Sequence, residues 1–207
     1  MHGHVGPAAV ASFLGMWVVM MAGMMLPSLL PMLRRYRQAV GGAGATRLAS
    51  LTALVAVGYF GVWTVVGIAA FPLSAALAMV KMHPPAWAPA VPVLVGVVVL
   101  AGGVLQLSAW KARHLAGCRE SPGALPSSAV TAWRHGMRLG FHCSASCAGL
   151  TASLLAIGVM DLRAMAAVAA AISLERLVPA GWPIPRAIGA VTVGAGMLLI
   201  VRAALPM

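Results

Sequence analysis

The chain has 207 residues, 61% of them hydrophobic and 8% charged, with a formal net charge of +11 and a mean hydropathy of +0.96. A water-soluble domain has no use for so much apolar surface, and uncharged runs of membrane-crossing length recur, so the chain reads as an integral membrane protein. Three acidic residues in total leave little for acid–base or oxygen-ligated metal catalysis. The positive charge of a membrane protein points to cytoplasmic loops rather than to nucleic acid.

The first predicted span lies near 8–33. No basic residue precedes it, and its charges follow at Arg34, Arg35 and Arg37, the reverse of a secretory signal, so it reads as a retained helix. It is rich in methionine. Met16, Met20 and Met24 recur every fourth residue and share one helical stripe, with Met21 and Met25 on the neighbouring stripe. Thioether sulfur is a soft ligand with no charge to desolvate, and it is equally a common filler of apolar gaps. Two histidines ahead of this span, His2 and His4, form a short tail with metal-capable side chains.

The second span, near 49–79, is longer than a crossing requires and has Pro72 as a place to kink. The third, near 88–110, runs into Lys111-Ala-Arg-His114-Leu-Ala-Gly-Cys118-Arg119. If that stretch is helical, His114 and Cys118 sit four apart as a two-ligand fragment, and Lys111, Arg113 and Arg119 favour thiolate at Cys118.

The fourth span, near 136–159, carries Phe141-His142-Cys143-Ser-Ala-Ser-Cys147. Cys143 and Cys147 project from one face, whereas His142 lies about 100° round the helix. Cys143 is nine residues past Arg134, and Met24 is nine before Leu33. Each distance is about 14 Å along a helix. The two sulfur sets therefore lie at one depth and can meet if the helices are neighbours. On spacing alone, two small buried cysteines packing as alanines do is the competing account.

The fifth span, near 162–180, contains Glu175, an acid deep enough to need a partner. Gln106, Lys111 and Arg138 lie at similar heights, which predicts a structural polar network near the inner surface rather than a proton relay. Asp161 with Arg163 reads as a helix cap pair, and the sixth span lies near 185–205. Trp17, Trp63, Trp87, Trp110, Trp133 and Trp182 mostly fall near span ends, as interfacial anchors do. Glycine-rich faces such as Gly102-Gly103 and Gly189 to Gly196 allow close helix approach or docking onto other subunits.

Loop charges orient the bundle. Eleven basic residues fall in the first, third and fifth connections and three on the other side, which places both termini outside and the basic loops in the cytoplasm. Cys118, Cys143 and Cys147 are too few for a disulfide framework, and no phosphate loop or nucleophile elbow is present.

Several pieces taken together resemble a bacterial family of predicted metal-binding integral membrane proteins. They are Trp17-x2-Met20-x3-Met24-Met25-Leu26-Pro27-Ser28-x2-Pro31, Gln106-x4-Lys111-x2-His114-Leu115-x2-Cys118-Arg119-x-Ser121-Pro122, Gly140-x2-Cys143-x3-Cys147, Gly158-Val-Met160, and Glu175-Arg176 followed by Pro179. The resemblance covers nearly the whole chain and implies a metal-binding membrane bundle. Relative to the family's pattern, His114 replaces the first cysteine of the loop motif, Ser146 the middle thiol of the helical motif, and Thr151 a methionine. Arg176 stands for a lysine. Soft ligands are thus fewer here.

The sequence reading is an all-α, polytopic, single-domain bundle of about six transmembrane helices in a bacterial inner membrane, not itself an enzyme. It binds a soft metal, copper as Cu(I), through Met20, Met24, Cys143 and Cys147. His114 and Cys118 serve at the cytoplasmic face, and Gln106, Lys111 and Glu175 form the polar network. Its function is copper transport or delivery to a membrane metalloenzyme. The alternative is a non-catalytic accessory subunit of a larger membrane complex such as a copper-dependent oxidoreductase; other membrane subunits or further copies of the chain are the candidate protein partners. On that alternative the sulfur-rich helices pack and bind no metal. The bilayer is the partner common to both, and nucleic acid is not a partner of either.

Overall fold

The computed structural model describes residues 7–42, 44–82, 90–119, 123, 126–158, 161–179 and 181–205, without the side chains of 77, 78 and 80–82. Among the described residues every regular element is an α-helix: α1 Pro7–Ala39, α2 Ala45–Met82, α3 Ala90–Gln106, α4 Ala109–Arg119, α5 Ala129–Ile157, α6 Leu162–Leu177 and α7 Ile184–Ala204. Long apolar runs take this form because a helix satisfies its own backbone polar groups, as a hydrocarbon surrounding demands.

Among the described residues, four segments are long and apolar enough to cross a membrane: α1, Ala45–Ala76 of α2, α5 and α7. A fifth is available if α3 and α4, bent by 62°, count together. The sequence reading expected six. The predicted span 162–180 is α6, whose 16 residues reach about 24 Å, short of the roughly 30 Å of hydrocarbon. The predicted span 88–110 ends early, because the Leu107 and Ser108 N–H groups bond three residues back to Val104 and Leu105 at 3.0 and 3.1 Å. Ser108 then accepts from the Lys111 N–H at 3.2 Å, a side-chain cap that starts α4 in a new direction. α2 runs as one helix through Pro72.

The chain divides into two compact units, one of residues Met1–Leu73 with Cys118–Ser144 and one of Ser74–Gly117 with Ala145–Met207. In the first unit, the core is built by Trp17, Met21, Met25 and Tyr36 of α1, Val55, Tyr59 and Trp63 of α2, and Cys143 of α5, each no more than 1% exposed. Trp17 Nε1 donates to the Trp63 carbonyl at 3.0 Å. These two tryptophans are therefore core residues and not the interfacial anchors their positions suggested. Trp110, Trp133 and Trp182 are exposed, and Trp87 lies outside the described residues. α5 approaches α2 closely at Gly136 and Gly140, where a methyl group would strike the backbone of Val55 and Tyr59.

In the second unit, glycines again set the spacing. Gly96 and Gly103 of α3 meet Ile200 and Val193 of α7, while Gly196 of α7 meets Leu100 of α3 and Gly189 meets Leu107, just past the end of α3. Small faces of this kind let helix backbones touch where no hydrophobic force drives them together in lipid. α6 begins at Asp161, whose carboxylate accepts from the Arg163 and Ala164 N–H groups at 2.9 and 3.1 Å, and it ends at Val178 ahead of Pro179.

Candidate soft-metal site

The local sequence of α1 prepares one methionine. Pro27 and Pro31 lie inside the helix and lack the N–H that would bond four residues back. Between them Ser28 Oγ donates to the Met25 carbonyl at 2.9 Å, which ties down the backbone that presents Met25. Met20, Met21, Met24 and Met25 are all buried, and Met25 is fully so.

Cys143 of α5 is 0% exposed, and its Sγ lies 4.0 Å from Met25 Sδ. On its other side Tyr59 Oη of α2 is 2.7 Å from the same sulfur. Thiol, thioether and phenol thus converge in the core of the first unit. Their depths match. Met25 is fourteen residues before Ala39, Tyr59 fourteen after Ala45, and Cys143 fourteen after Ala129. That is about 21 Å from the helix end in each case. Near those ends Arg47 Nη2 at the start of α2 donates to the Ser127 carbonyl just ahead of α5 at 2.6 Å, and Arg35 Nη1 of α1 donates to the Arg119 carbonyl at the end of α4 at 2.8 Å.

The sulfur that approaches Cys143 belongs to the Met21 and Met25 stripe rather than to the stripe of Met20 and Met24. Tyr59 was not singled out in the sequence. The usable signals were its equal depth and its rarity, since the chain has two tyrosines.

Cys147 belongs to the second unit and has a different environment. Arg176 Nη2 donates to Cys147 Sγ and to Ser146 Oγ, each at 3.2 Å. Arg176 is in the last turn of α6, where a cation suits the helix dipole. The adjacent Glu175 is held by Lys111 Nζ at 2.6 Å, and Lys111 Nζ also donates to Gln106 Oε1 at 2.6 Å. Gln106 Nε2 closes the ring by donating to Glu175 Oε1. All of these side chains are buried, and a carboxylate and an ammonium removed from water need this degree of hydrogen bonding. Lys111 Nζ is thus shared between Glu175 and Gln106. Arg138 is exposed.

The stretch of His114 and Cys118 is helical as α4. His114 packs edge-on to Trp110, with ring centroids 4.5 Å apart, and Cys118 is 1% exposed. None of the three cysteines is in a disulfide. His2 and His4 lie outside the described residues. Among the described residues no three His, Cys, Asp or Glu side chains gather as a metal-binding group.

The model of a family described as "PpoB2: Copper chaperone" matches residues 14–199. Neither the curated proteins nor the solved structures contain a match to this chain. The matched segment takes in every helix that positions Met25, Tyr59, Cys143 and Cys147, and the chain belongs to the PpoB2 copper chaperone family.

Proposed function

We propose that this chain is a copper(I)-handling protein of the bacterial inner membrane, a non-catalytic carrier that takes Cu(I) at Cys143 and Met25 and passes it to an acceptor enzyme in the same membrane. Family membership supports the copper-related role. One observation carries the site: a thiol and a thioether sulfur, both fully buried, 4.0 Å apart. A metal–sulfur bond is about 2.3 Å, so one ion spans the pair.

Charge favours the monovalent ion. Of the three acids, Asp161 and Glu175 belong to the second unit and Glu120 lies outside the described residues. At this site the charge of the metal is met by the Cys143 thiolate. Cu(I) with one thiolate is neutral, whereas a divalent ion leaves a net positive charge in a medium where uncompensated charge is strongly disfavoured. Met20 and Met24, buried on the same helix, offer further thioethers for exchange as the ion enters or leaves. His114 and Cys118 are the candidate hand-over pair at the cytoplasmic face, in the orientation set by the basic loops with both termini outside.

The test is metal analysis of the detergent-purified protein, with every co-purifying chain identified. Stoichiometric copper that disappears in Cys143→Ser supports the reading. Copper unchanged by that substitution removes the site. A metal-free protein in fixed stoichiometry with partner subunits instead makes it an accessory subunit whose methionines only pack.

A further inference from the structure

The phenol of Tyr59 has no place in a plain two-sulfur site, yet its Oη lies 2.7 Å from Cys143 Sγ with the side chain fully buried. In the metal-free state either atom can be the donor. Cu(I) bound at Cys143 would take the place of the thiol proton, which is released to the buffer as the metal enters, and the sulfur would then be a thiolate with no hydrogen to give, so that only the phenol could donate. We propose that Tyr59 is the positioning residue of the copper site, its O–H donating to the Cys143 thiolate in the loaded state and holding that sulfur toward Met25. The inference rests on the copper reading above and adds to it the group that makes a buried thiolate tolerable.

Three features support the assignment. A hydrogen bond to an anionic sulfur in a water-excluded core is stronger than one between neutral groups. The phenol is neutral, so it stabilises the thiolate without adding a cation that would repel Cu(I). Its placement is also rigid. The Tyr59 ring packs edge-on against Phe60 with centroids 5.2 Å apart, and Gly140, one turn from Cys143, lies against the Tyr59 carbonyl where any side chain would intrude. Groups that orient a metal ligand in this way typically set affinity over about 10–100-fold.

Tyr59→Phe keeps the ring and removes the donor. In competition with a chromophoric Cu(I) chelator, the variant should bind Cu(I) about 10–100-fold more weakly than wild type. Its copper–thiolate charge-transfer band should shift, and the melting temperature of the metal-free protein should stay near that of wild type. Wild-type binding lost in Cys143→Ser but fully retained in Tyr59→Phe, with the band unmoved, overturns the role of Tyr59 and leaves the copper site standing. No Cu(I) binding by wild type overturns both.

A second measurement does not depend on altering Tyr59. With Tyr36→Phe, Tyr59 is the one remaining tyrosine. Its ultraviolet resonance Raman doublet should move toward the strong-donor pattern when Cu(I) is added. A doublet that does not respond to Cu(I) overturns the proposal.

Discussion

Arg176 Nη2 lies 3.2 Å from Cys147 Sγ, and the same nitrogen reaches Ser146 Oγ. The two cysteines of α5 thus have unlike neighbours. Cys147 is met by a guanidinium, and Cys143 by a phenol and a thioether. Equal spacing on one helix face does not make them equivalent ligands.

That difference predicts unequal effects of substitution. Cys147→Ser retains an acceptor for Arg176 and should change stability by less than about 0.5 kcal/mol, whereas Cys147→Ala, which removes it, should cost about 1–3 kcal/mol. Copper content should persist in both. Thermal melts in detergent with parallel copper assays check this, and loss of copper in Cys147→Ser would return Cys147 to the ligand set.

The ring of Lys111, Glu175 and Gln106 is expected to behave as a buried pair whose halves cannot be removed singly. Lys111→Met strands the Glu175 carboxylate and should destabilise by about 3–5 kcal/mol. Adding Glu175→Gln removes the stranded charge and should recover most of the loss. A double-mutant cycle from denaturation curves measures the coupling, and additive losses would mean the two groups act independently.

Gly136 and Gly23 should respond oppositely to alanine. A methyl at Gly136 meets the backbone of Val55, whereas a methyl at Gly23 meets nothing within 4 Å. Gly136→Ala should cost about 1–3 kcal/mol through overpacking. Gly23→Ala, within α1, should gain up to about 1 kcal/mol from helix propensity. Melting temperatures of the two variants decide.

Tyr36 is fully buried, stacked on His135 with centroids 5.3 Å apart, and its hydroxyl has no hydrogen-bond partner among the described residues. Tyr36→Phe removes an unsatisfied polar group and leaves the ring stack in place, so it should be neutral or stabilise by about 1 kcal/mol. A clear loss of stability would show that the hydroxyl finds a hydrogen-bond partner in the folded protein.

The amino-acid sequence alone determined the apolar helices of α1, α2, α5 and α7, the soft character of the candidate ligands, the common depth of Cys143 and the methionines, and Gln106 and Lys111, though not Arg138, as companions of Glu175. Those follow from composition and from the rise of a helix, which count along the chain. Rotation about the helix axis does not. In a water-soluble helix the polar face marks the outside. A helix that is apolar all round carries no such mark, so Met24 and Met25 look alike in sequence, as do a core tryptophan and an anchoring one. Packing decided that Met25 faces Cys143, that Tyr59 stands beside it, that Trp17 bonds the backbone at Trp63, and that Cys147 turns to Arg176. Each is a contact between helices, which counting along one chain segment does not fix.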